Sequence, residues 1–141
     1  MDAARSWTTV KSGDKLSGLT VTLAKGAASL TGQVPLKEGE TLSERLAVYL
    51  VPVEKERADD PLRFYSAPVS PDGKIVMNSI APGRYWAVVQ PTSDEPDSPA
   101  RKLRWPDETE TRARLRRDAE AAKTEIELKP CQSASLTVKY F

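Results

Sequence analysis

Pro71-Asp72-Gly73-Lys74-Ile75-Val76-Met77-Asn78-Ser79-Ile80-Ala81-Pro82-Gly83-Arg84-Tyr85-Trp86-Ala87-Val88-Val89-Gln90 is the stretch on which the fold turns. Pro71 sets φ for a corner and Gly73 takes the left-handed position that strains other residues, so this turn joins two antiparallel strands. Residues 74–78 form the strand after it, Pro82-Gly83 makes the next corner, and residues 84–90 run on as another strand. In that strand a period of two sends Tyr85, Ala87 and Val89 inward and Trp86 and Val88 outward.

Working outward, residues 62–67 read as the strand before the turn. Leu46-Ala47-Val48-Tyr49-Leu50-Val51-Pro52-Val53 is too short for a globular helix and too rich in β-branched and aromatic residues to prefer one, so it is a central strand. Between them, residues 54–61 carry six charged residues broken only by Ala58 and form a solvated loop. Residues 28–34 supply a weaker strand that Pro35 ends. Leu19-Thr20-Val21-Thr22-Leu23 alternates at every second position, which predicts a half-buried antiparallel strand. Residues 1–18 are a flexible arm with at most a short strand at 7–10.

Downstream, residues 90–99 are an irregular loop. Pro106 and the acids Asp107, Glu108 and Glu110 mark the start of a helix over 107–122. Glu108 and Arg112, Glu110 and Arg114, and Arg116 and Glu120 stand one turn apart as ion pairs. Thr111, Leu115, Ala119 and Ala122 form a narrow stripe that leans on a sheet edge. Residues 124–128 and 133–140 alternate and close the chain. Short strands between turns favour a sandwich over parallel βαβ units. The expected fold is all-β: an antiparallel β-sandwich of about 7–8 strands with one peripheral α-helix near 107–122. It forms a single domain over residues 19–141, with a helix-containing insertion at 91–122.

Composition narrows the chemistry. The chain has 141 residues, 21 Lys+Arg against 20 Asp+Glu, one cysteine and no histidine. A net charge of +1 lacks the footprint of nucleic-acid binding. Without histidine, Ser-His-Asp and Cys-His catalysis are excluded, and the commonest transition-metal ligand is missing. Cys131 reads as a small buried or half-buried hydrophobe. No stretch approaches the roughly 18 apolar residues of a membrane span. Asp94, Glu95 and Asp97, and likewise Asp59 and Asp60, read as solvated loop charges. No cofactor and no metal are expected, and the chain is expected not to be an enzyme.

Asp72-Gly73-Lys74-Ile75, Ile80-Ala81-Pro82-Gly83 and Arg84-Tyr85, with Gly32-Gln33-Val34 and Val48-Tyr49-Leu50 upstream, carry a resemblance over residues 28–90. The chain resembles the carboxypeptidase regulatory-like domain, a prealbumin-like (transthyretin-like) β-sandwich. It departs from that pattern in having Ile75 where an aromatic is usual and in inserting residues 90–122. The later layout is similar to the C-terminal module of large exported bacterial proteins. The resemblance implies Ile75, Met77 and Ile80 facing inward with Tyr85. It also implies a non-catalytic structural or interaction module, outside the cytoplasm or at the cell surface, whose partners are neighbouring domains or other surface proteins.

The second function class is carbohydrate binding, because such folds resemble starch-binding modules and sugars stack on exposed aromatic faces. Its candidate contacts are Trp86, Tyr49 and Trp105. The competing expectation is that the Leu115 stripe covers Trp86 and Tyr49, and that Trp105 anchors the start of the helix to the sandwich.

Overall fold

The structure is a computed structural model that describes residues 4–140. In chain order its strands are β1 (Ala28–Gln33), β2 (Leu46–Pro52), β3 (Tyr65–Pro68), β4 (Lys74–Ile80), β5 (Gly83–Pro91), β6 (Glu125–Leu128) and β7 (Ser133–Thr137). A short helix α1 (Pro99–Lys102) and the main helix α2 (Thr109–Ala122) lie between β5 and β6. The seven strands form two sheets, one of three strands in the order β4-β1-β7 and one of four in the order β3-β2-β5-β6.

The apolar core lies between the sheets. Leu30, Ile75, Met77 and Ile80 from one sheet meet Leu46, Val48, Leu50, Tyr85 and Ala87 from the other. Ile75, Met77 and Ile80 share a face although the last step is three residues. Ser79 takes φ +59° and the β1–β4 register shifts there, so a bulge absorbs the extra residue. Gly73 is required at its corner: φ is +84°, and a Cβ would stand 2.5 Å from the Val34 carbonyl oxygen.

β2 is buried along its whole length. Its inner residues Leu46, Val48 and Leu50 enter the inter-sheet core, while Ala47, Tyr49 and Val51 face a second cluster with Phe64, Leu103, Leu115 and Ala119. A strand covered on both faces shows no alternation, which explains the continuous apolar run. The helix therefore does more than lean on an edge. It packs across the outer faces of β2 and β5, the central strands, and founds a core of its own.

Several expectations are corrected. Residues 19–23 form no strand: Leu19, Val21 and Leu23 are 63%, 73% and 88% exposed. Alternation provides an apolar face, but a strand also needs a ladder, and β1 already has β4 and β7 on its two sides. Residues 7–10 are likewise outside any strand. The segment read as a strand over 62–67 opens as a single 3-10 turn, Pro61–Arg63, because Pro61 favours a helical start and the Asp60 carboxylate accepts from the Leu62 N–H. β3 begins only at Tyr65.

The sheets are not wholly antiparallel, since β7 runs parallel to β1. The rest of the domain serves as the crossover between these two strands, so no dedicated βαβ helix is needed. Helix α2 starts at Thr109, after Asp107 and Glu108. Cys131 is exposed and sits at φ +60° in the turn before β7. Of the expected arm and domain, residues 1–3 and 141 lie outside the described residues.

Candidate interaction site

The three aromatic candidates occupy different environments. Tyr49 is fully enclosed beneath α2, and its hydroxyl has no hydrogen-bond partner among the described residues. Burial pushes its pKa up, against a smaller opposing influence of Thr92. Trp86 is half-buried on the same outer sheet face, with the Arg116 guanidinium 5.2 Å from its ring centre. Arg116 also donates to the carbonyls of Pro52 at 3.1 Å and Val53 at 2.9 Å, so it clamps α2 onto the sheet. Neither ring is presented to solvent as a stacking platform. Trp105 remains open, at 39% exposure.

Trp105 is positioned by a buried arginine. Pro106 cannot continue a helix, so α1 stops at Lys102 and residues 103–108 run irregularly into α2. That loop leaves several carbonyls pointing at one place, and Arg112 fills it at 1% exposure. Its guanidinium donates to Leu103 O at 3.3 Å, Trp105 O at 2.6 Å and Pro106 O at 3.2 Å. Its Nε donates to the Asp59 carboxylate at 2.8 Å. A planar fork of five donors suits several convergent oxygens, which a lysine could not meet.

Arg112 is thus not the ion-pair partner of Glu108, which accepts from Thr111 at 2.6 Å. Asp59 likewise is not a free loop charge: it is the counter-ion of this cage, and its neighbour Asp60 caps the 3-10 turn. The sequence signal for Arg112 lies in its spacing from Leu115 and Ala119, which places it on the apolar stripe of the helix.

The N-terminal arm completes the site. Trp7 packs edge-on against Trp105 with ring centres 6.3 Å apart, and its Nε1–H donates to Asp107 at 3.0 Å. The two tryptophans, with Leu16, Leu19, Leu62 and Arg104, line a groove of about 550 Å³. Leu62 is 55% exposed and Leu16 54%, so the groove is apolar and open to solvent. Sequence reasoning did not bring Trp7, Leu16 or Leu62 into one site, because their approach depends on the arm folding back across the 3-10 turn.

A second cavity of about 440 Å³ lies between β3, β4 and the α1 region. Arg101, Arg104, Asn78, Ser66 and Tyr65 are its polar side chains, and no carboxylate lines it. Among the described residues no group of three or more metal-ligating side chains comes together, and no helix is long and apolar enough to cross a membrane. No family model matches the chain, and no curated protein matches it.

Proposed function

We propose that the chain is a non-catalytic interaction module of the prealbumin-like, carboxypeptidase regulatory-like class. It docks an apolar surface of a neighbouring protein domain into the Trp7–Trp105 groove. The observation that carries this reading is the groove itself: Trp7, Leu16 and Leu62 stand more than half exposed beside Trp105, whose backbone carbonyl is bonded to a buried arginine. Holding such residues out of the core is unfavourable for an isolated chain, and a partner surface removes that cost. The exported or surface setting is part of the same proposal and rests on the resemblance.

Two features support a non-enzymatic role. The Asp59 carboxylate is committed to Arg112, and the cavity between β3 and β4 offers no acid–base pair. The groove also suits a protein surface better than a sugar, since the Trp105 ring meets the edge of Trp7 and the Lys102 ammonium stands 5.9 Å from its centre.

The test uses 8-anilinonaphthalene sulfonate as an apolar probe, with a glycan array run in parallel. The folded chain is expected to enhance probe emission, and both Leu62→Asp and Trp105→Ala are expected to abolish this without changing the circular dichroism. Absence of enhancement by the native chain overturns the open groove. Saturable glycan binding that Trp105→Ala removes replaces the proposal with the carbohydrate reading.

A further inference from the structure

Leu19-Thr20-Val21-Thr22-Leu23 has the strongest strand pattern in the N-terminal part of the chain, yet it has no ladder and its apolar residues are exposed. A five-residue strand without partners leaves both its backbone groups and its apolar face to water, the state in which strands add to other sheets. The molecule also carries a matching acceptor.

Its four sheet edges are not alike. β6 presents Glu125 and Glu127, charges that discourage pairing. β4 begins at Lys74 and is bent by the bulge at Ser79. β3 is four residues long, ends at Pro68, and has Arg104 bonded to Phe64 O at its start. β7, Ser-Ala-Ser-Leu-Thr, has no charge, no proline and no bulge in its pairing with β1. Ala134 and Leu136, on its inner side, are only half-buried against the core. An added strand bearing leucine and valine on one face would finish covering them.

The linker that follows the donor also lies at the head of the acceptor. The chain leaves residues 19–23 through Gly26, whose carbonyl accepts from the Cys131 N–H at 2.9 Å, and Ser29 N–H donates to Gln132 O at 2.9 Å. The linker is therefore pinned at the head of β7. Residues 16–22 then turn away along Leu62. With the donor's linker held at the head of the acceptor, a twofold axis at this corner lets two molecules exchange strands reciprocally, each donating to the other's β7. Two five-residue ladders carry about ten hydrogen bonds, the number found in a standard interface of about 1,600 Å².

We propose that residues 19–23 pair with the open edge of β7 in a second copy of this chain, forming a reciprocal strand-exchanged dimer. The contact draws Leu19 out of the Trp7–Trp105 groove and otherwise uses residues outside it, and it does not depend on the function assigned to that groove.

Sedimentation and backbone hydrogen exchange test this on the full chain. The expected species has twice the 15.5 kDa chain mass, with slow exchange at residues 20–23 and along β7. Thr20→Pro and Val21→Pro remove donors of opposite parity from a segment outside the folded core, and the one whose N–H faces β7 is expected to give a folded monomer with fast exchange at 20–23. Ser135→Pro should also give a monomer. The Val138 N–H bond to Gln33 O directs the even-numbered N–H groups of β7 at β1 and the Ser135 N–H at the free edge. A native chain that stays monomeric at about 1 mM overturns the proposal. So does a dimer that persists in both Thr20→Pro and Val21→Pro. Protection of 20–23 in a monomer also overturns it, because the segment would then close on its own sheet.

Discussion

The two hydrophobic clusters of this molecule are built on different principles. Between the sheets, apolar side chains from both layers interdigitate, and the polar atoms present are the hydroxyls of Tyr65 and Tyr85, both bonded at the Ala81 corner. Tyr65 accepts from the Ala81 N–H at 2.9 Å and Tyr85 donates to the Ala81 carbonyl at 2.6 Å. Beneath α2, a few apolar residues are held in place by Arg112 and Arg116, which bond to carbonyls of otherwise irregular chain. The first cluster depends on area and shape. The second depends on two arginines bonded to chain carbonyls, leaves the Tyr49 hydroxyl without a partner among the described residues, and is the one that supports the Trp105 groove.

Breaking the second cluster should have the largest effect. Arg112→Ala leaves three carbonyls without their donor, while Asp59 is half-exposed and keeps its bond from Thr109, and it is expected to lower stability by about 3–5 kcal/mol through the unsatisfied acceptors, read by urea denaturation. Hydrogen exchange should sharpen the contrast: α2 and residues 103–106 lose protection first, while β1 and β4 keep theirs. Equal loss throughout would show that the two clusters form one cooperative unit. In the inter-sheet core, Leu50→Ala is expected to cost about 2–5 kcal/mol, with exchange rising evenly across both sheets.

Gly73→Ala tests the turn that frames the inter-sheet core. The new Cβ meets the Val34 carbonyl oxygen, and the left-handed backbone disfavours alanine, so a loss of about 2 kcal/mol is expected by thermal melting.

The last effect, the pH dependence, is confined to alkaline conditions above pH 10. Burial pushes the Tyr85 hydroxyl from 10.0 up to about 12, so its folded pKa lies above its unfolded value. Its contribution is fully present below pH 10 and is lost as the pH climbs through about 12. Between these values stability should fall by about 1.4 kcal/mol per pH unit. Tyr85→Phe should flatten this slope, and an unchanged slope would assign it to Tyr49 or Tyr140, whose hydroxyls are also shifted upward, by burial and by the Glu44 carboxylate respectively.

Much of this architecture was legible in the residues. Turn chemistry at Asp72-Gly73 and Pro82-Gly83 and the period of two in residues 84–90 located β4, β5 and the inward Tyr85, and the resemblance added Ile75, Met77 and Ile80; the 71–73 turn does not join paired strands as expected, because β3 and β4 lie in different sheets. The unbroken run of residues 46–53 marked a central strand, although its second buried face became evident only with α2 in place. The candidate site was less legible. Trp105 could be singled out, but its partners Trp7, Leu16 and Leu62 belong to segments with no periodicity linking them.

What the sequence by itself determined is local: where the chain turns, which face of each strand is apolar, and where a helix begins and ends, within a few residues. Those properties follow from φ preferences, side-chain alternation and caps, which act over a handful of neighbours. Only the tertiary structure decided which apolar strands find a ladder, that β7 returns parallel to β1, and that Arg112 turns inward rather than toward Glu108. Each of these is a competition among distant partners for the same edge or the same donor. Residues 19–23 and residues 84–89 both alternate, and the difference is that only the latter meet backbone groups left open for them.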